Sequence, residues 1–195
     1  MQPKDLATVR VSNLSPSLGV SRLHSFLDRQ NVNATSNISL CSHGSAKDSS
    51  LVATVTFQSQ SSAKKALNLN GRLLAGRNVS IERGFMGLAV LAAPEDPMLD
   101  IIAVHGLNGH AYGTWAHHED GQSGFEAMWL PDFLPGNVKN ARILVYGYNS
   151  ALLGSNTSVS SVKDFAHDLL QRIIDDRADQ VRYALFFGIN TCDLG

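Results

Sequence analysis

Cysteine is scarce: Cys41 and Cys192 are the only two in 195 residues. They lie far apart and offer no metal-ligand spacing, which argues against a disulfide framework and against a zinc site. Long apolar runs are missing too. The longest small-apolar stretch, "GLAVLAAP", is too short to cross a hydrocarbon core of roughly 30 Å, so no membrane span is expected. Met1 to Leu6 lack the basic start and apolar stretch of a secretory signal, and the chain is expected to be intracellular and cytoplasmic. Without a secretory route, triplets such as Asn33 with Thr35 and Asn156 with Ser158 carry no weight as glycosylation sites.

What is present is an ordinary globular composition, 44% hydrophobic, enough for one good core or two small ones. The net charge of −1 conceals an asymmetry. Residues 1–83 hold ten Lys/Arg against four Asp/Glu, while residues 84–195 hold six against thirteen. Both tryptophans, Trp115 and Trp129, fall in the second part. Two units with different surfaces are expected, residues 1–83 and 99–195, joined by a linker over 84–98 in which Pro94 and Pro97 break any regular element.

In the first unit, "TVRVSNL" alternates, with Val9 and Val11 on one face and Arg10 and Ser12 on the other, the period of a half-buried strand. Val20, Leu23 and Leu27 then recur at helical spacing. A short strand near Ile38 to Cys41 and the strand "LVATVTF" follow. "SSAKKALNL" predicts a second helix capped by Ser61 or Ser62, and "NGRLLAGRNVSIER" a turn and a final strand.

This βαββαβ order, with the phrase "SAKKALNLNGRLLAGRNVSIE", resembles the RNA recognition motif family over residues 6–83. The resemblance implies a ferredoxin-like fold and bases stacked on aromatic side chains of two central strands. At the three stacking positions this chain carries Arg10, Val52 and Thr54, so the domain is expected to be degenerate in function. A base on an aromatic ring contributes about 1–3 kcal/mol, and without the rings only basic residues remain to hold RNA. Arg10, Lys64, Lys65, Arg72 and Arg77, with Arg22, could supply weak, salt-sensitive, nonspecific attraction. A solvated basic face on a structural or protein-binding module accounts for the same charges.

In the second unit, Ile101 to Val104 form a continuous apolar run typical of a strand buried on both faces, ending in "HGLNGH". "RILVYGYN" predicts a second strand, "SSVKDFAHDLLQRIID" a helix with Ser161 and Asp164 spaced as a capping box, and "VRYALFFG" a third strand. Strand, loop, strand, helix, strand is the layout of a parallel α/β sheet. The phrases "DIIAVHGLNGHAYGTW", "MWLPDFLP", "ARILVYGYNS" and the helix from Ser160 to Arg177 resemble the N-terminal half of α/β-hydrolase-fold serine esterases of the lipase type, as found at the start of fungal multidomain proteins with nucleotide-binding and repeat domains.

That resemblance implies an incomplete hydrolase-like sheet with Gly106 and Leu107 in the oxyanion loop and His105 shaping its entry, although a histidine that only hydrogen-bonds loop backbone accounts for His105 equally without chemistry. Trp115, Trp129, Tyr146 and Tyr148 could line a substrate pocket or simply be core. It also implies a Gly-x-Ser-x-Gly turn after the third strand. Gly188 fits the first glycine, but Asn190 stands at the serine position and Cys192 at the second glycine. An amide is no nucleophile, and the acid and histidine strands are missing. Neighbouring His117, His118, Glu119 and Asp120 have metal-ligand chemistry, yet adjacent loop residues rarely converge on one ion, so neither a metal nor a cofactor is expected.

The expectation is therefore a truncated serine-hydrolase-like module fused to a degenerate RNA-recognition-motif-like domain, without catalysis. Its partners would be the missing remainder of the hydrolase domain or another chain. The alternatives are an RNA-binding protein acting through the basic N-terminal domain, or a noncatalytic interaction module of a larger signalling receptor.

Overall fold

Val9, Val11, Ala53, Val55 and Phe57 fall at every second position of two strands, and such a pattern requires an apolar cover on one sheet face. In the computed structural model, which describes residues 7–32, 34–42, 49–118, 126–150, 161–177 and 183–188, two helices supply that cover. Strand β1 (Thr8–Leu14) leads to helix α1 (Val20–Arg29), strands β2 (Ala34–Ser42) and β3 (Leu51–Phe57), and helix α2 (Gln60–Leu67). A short hairpin, β4 (Leu73–Leu74) and β5 (Arg77–Asn78), precedes strand β6 (Ser80–Glu82).

The sheet runs β2-β3-β1-β6 with every pair antiparallel. Val9 stands opposite Val55, and Val11 lies between Ala53 and Ile81. Leu23 and Leu27 of α1 and Ala63 and Ala66 of α2 close over them in one apolar cluster. Removing a large member of such a core costs about 2–5 kcal/mol.

Helix α2 is capped by Ser59, not by the expected Ser61 or Ser62. Its Oγ accepts from the Ser62 backbone N–H at 3.2 Å. Ser59 is the last residue in an extended conformation, and the serines after it already belong to the helix. Ala75 and Gly76 turn the β4–β5 hairpin with φ of 49° and 81°, the consecutive left-handed pair that a two-residue hairpin favours.

The second unit comprises β7 (Gly87–Ala92), β8 (Leu99–Val104), β9 (Ala116–His118), β10 (Glu126–Met128), α3 (Trp129–Asn137), β11 (Ala141–Gly147), α4 (Val162–Arg177) and β12 (Tyr183–Gly188). Its main sheet runs β12-β8-β11-β7, with β12, β8 and β11 parallel and β7 antiparallel to β11. Two expectations change here. The sheet is mixed, and residues 87–92, expected as linker, form its outer strand. Pro94 and Pro97 stop the chain after that strand instead of preventing it. Parallel strands joined by crossovers are common to many open α/β sheets, so the order that suggested a hydrolase is not specific to one.

One face of this sheet packs Phe85, Tyr112, Trp115 and Leu130 around Ile143 and Val145. The other packs Ile102, Leu144 and Tyr146 beneath Ile173 of α4. At the start of β8, Asp100 is buried with Arg142 of β11: Arg142 Nε donates to Asp100 Oδ1 at 2.9 Å. Arg177 Nη2 donates to the same carboxylate at 2.7 Å, and Asp176 also pairs with Arg142. Burial pushes the Asp100 carboxyl up, but the two guanidinium groups hold it below the usual carboxylate range. Strand β12 is apolar yet open, with Tyr183 80% exposed and Phe186 51%. No helix among the described residues is long and apolar enough to cross a membrane.

Candidate nucleic-acid interface

The helices occupy one face of the first sheet, so its other face is built from the alternate residues: Thr8 and Arg10 on β1, Val52, Thr54 and Thr56 on β3, and Cys41 on β2. The register sets Arg10 directly opposite Thr54 and Cys41 opposite Val52. None of these side chains is aromatic, and residues 1–83 contain only Phe26 and Phe57 as aromatics. Both pack with the helix-side core.

Part of this face is closed to solvent, while Arg10, Thr54 and Cys41 are half-buried. Thr8 is 0% exposed, Val52 3% and Thr56 6%, and Thr8 and Thr56 share a hydroxyl hydrogen bond of 3.0 Å. The cover is the outer strand β7. Arg10 Nη2 donates to the Met86 carbonyl at 2.9 Å and Nη1 to the Leu88 carbonyl at 3.4 Å, while Nε lies 2.7 Å from Glu82 Oε1. Cys41 Sγ sits 3.6 Å from both the Val52 and the Val90 carbonyl oxygens. Burial pushes its thiol up to about 12. Beside the β2–β3 half a cavity of about 270 Å³ remains, with Asn37, Ser39, Thr54 and Thr56 on one wall and Leu91, Tyr112 and Asp132 among those on the other.

His110 fixes the junction from the second unit. Its Nε2–H donates to the Arg83 carbonyl at 2.9 Å, and Nδ1 accepts from the Tyr112 and Gly113 backbone N–H groups at 3.1 and 3.0 Å. The neutral imidazole is fully used. Burial is the largest influence on its pKa, which is lowered to about 4.

The remaining basic residues lie elsewhere. Lys64 and Lys65 are exposed in the last turn of α2, where their charge also complements the helix dipole. Arg72 is exposed just before the hairpin, its N–H donating to the Leu69 carbonyl and its own carbonyl accepting from Val79 N–H. Arg77 is half-buried and donates to Asn13 Oδ1 at 3.3 Å. One continuous stretch, from α2 through the hairpin, carries these four cations.

The residues singled out for a hydrolase site do not assemble into one. His105 donates through Nδ1 to the Gly106 carbonyl at 2.9 Å, accepts at Nε2 from Tyr148 N–H at 3.4 Å, and stacks on the Tyr148 ring at 4.3 Å. Burial lowers its pKa. The Gly106 carbonyl also accepts from Gly109 N–H, closing a tight turn, and Leu107 is exposed beside it. Trp115, in one core, meets the exposed Trp129 edge-on at 5.9 Å, while Tyr146 and Tyr148 stack at 5.8 Å on the other face of the sheet. The four therefore line no common pocket. Asn190, Cys192, Glu119 and Asp120 lie outside the described residues, as do the side chains of His117 and His118.

Residues 9–80 match the family model of the RNA recognition motif. No curated protein matches the chain significantly. Among solved structures, the third RRM of Pes4 is 22% identical, with 40% of this chain and 90% of that chain covered and a TM-score of 0.35. The RRM of RNA15 is 18% identical, covering 40% and 88%, with a TM-score of 0.34. The first two RRM domains of the yeast poly(U)-binding protein Pub1 are 21% identical, covering 46% and 51%, with a TM-score of 0.35.

The family match overturns the serine-hydrolase reading of what the chain does. That reading rested on three phrases and a helix in a given order and spacing, and such an order of elements is shared by proteins of many chemistries. The degenerate standing given to the first unit is corrected as well: its stacking positions are substituted, but its pattern still matches the family. Residues 9–80 of this chain form an RNA recognition motif domain.

Proposed function

We propose that this protein binds RNA through an RNA recognition motif domain spanning residues 1–83, by charge and not by base stacking. The observation that carries the reading is the family match over residues 9–80, joined to exposed Lys64, Lys65 and Arg72 in the same domain. The contacts run along α2 and the β4–β5 hairpin, with Arg77 at their end. Arg10 takes no part, because its guanidinium is committed to Glu82 and to the backbone of Met86 and Leu88.

Four phosphate contacts to a single strand give a log–log salt slope of about −3, so affinity falls about fifty-fold between 50 and 200 mM salt. The test is fluorescence anisotropy of a labelled, mixed-sequence oligoribonucleotide. Changing Lys64, Lys65, Arg72 and Arg77 together to Gln should abolish most of the binding and flatten the slope. Affinity that is independent of salt and unaltered in that variant would overturn the proposal.

A further inference from the structure

We propose that the outer face of the RNA recognition motif sheet is a protein-docking surface matched to the edge of strand β7, so that RNA in this protein is confined to the basic side of the domain. The proposal rests on the RNA-binding reading above only for where RNA goes; the docking stands on geometry alone.

A strand at the edge of a sheet presents a row of unpaired backbone groups. Strand β7 pairs with β11 on one side. On its other side the carbonyls of Met86, Leu88 and Val90, alternate residues on one edge, meet Arg10, Arg10 and Cys41. The position where a base-stacking domain carries an aromatic ring therefore holds a planar fork of N–H donors, the group that can serve two carbonyls at once. An aromatic ring at residue 10 would leave both without a donor.

The other substituted positions fit the same occupant. Val52 offers an apolar, β-branched surface, and Thr8 and Thr56 satisfy each other's hydroxyls beneath the cover. His110 ties the chain just after β6 to the second unit, holding the two sheets in this relation. The replacements of aromatic residues are thus a specification for a strand edge.

Cys41 reports on the docking, because its thiol lies between β3 and β7. In a Cys192→Ser chain it is the sole thiol, and N-ethylmaleimide labelling of the native chain should be at least about a hundred-fold slower than in urea. Arg10→Ala should accelerate labelling about ten-fold or more while leaving RNA affinity within about two-fold. If that variant fails to fold, Arg10→Lys, which keeps the charge and loses the fork, serves in its place. Saturating oligoribonucleotide should leave the parent's labelling rate unchanged.

Native labelling close to the unfolded rate, an Arg10 variant that labels like its parent, or RNA that alters Cys41 labelling would each overturn the proposal. Loss of RNA affinity in the Arg10 variant would do the same. If the parent binds no RNA at all, the RNA reading fails, and Cys41 protection still decides the docking.

Discussion

The two sheets solve the same problem in different ways. The first is antiparallel, and its helix-side core is an apolar cluster in which Val9, Val11, Val55, Leu23 and Leu27 meet with no charge among them. The second runs three parallel strands whose lower end is held by buried Asp100 and Arg142, with Asp176 and Arg177 of α4 closing the network. An apolar core tolerates the loss of one contact in proportion to the cavity left behind. A buried ion network does not, because removing one partner leaves an unpaired charge in a medium that cannot solvate it.

The largest expected effect follows from that contrast. Arg142→Ala should lower the stability of the second sheet by about 3–5 kcal/mol. Amide hydrogen exchange should show β8 and β11 opening while β1 and β3 keep their protection. Equal loss of protection in both sheets would show that the two units unfold as one.

A smaller effect is pH-dependent and acts at the junction. The pKa of His110 is about 4 in the folded protein, below its ordinary value, chiefly through burial. The unfolded chain therefore takes up a proton first as pH falls. Stability contributed by neutral His110 is complete above about 6.5 and is lost as pH drops towards about 4, by on the order of 3 kcal/mol at most. Urea denaturation across this window should show the decline, and His110→Gln should flatten it. An unchanged slope in the variant would assign the decline to another group.

The sequence made the first sheet legible because its strands bury one face and solvate or dock the other. Period-two alternation at Val9, Val11, Ala53, Val55 and Phe57 marks the core whatever lies beyond. The second sheet was less legible. Strand β7 looked like linker because its partner, β11, lies some fifty residues on and prolines follow it. Helix α3 was hidden by Pro131 and Pro135. Pro131 sits in the first turn, where the missing N–H has no partner to lose, and only Pro135 opposes the helix. Nothing in the sequence pairs Asp100 with Arg142, since only the parallel register brings them together.

The candidate site was half legible. Arg10, Val52 and Thr54 were visible as departures from a stacking platform, but what they face could be known only once β7 was placed. In the His-Gly loop the ring nitrogens of both His105 and His110 are committed to backbone groups, the structural role open to a loop histidine, which leaves neither free for chemistry.

Hydrogen exchange of the full chain with and without a saturating oligoribonucleotide at low salt tests the central claim most directly. RNA should slow exchange across α2 and the β4–β5 hairpin, residues 60–78, and leave β1 and β3 unaltered. New protection confined to residues 8–14 and 51–57, with none over 60–78, would place RNA on the sheet face and contradict the account.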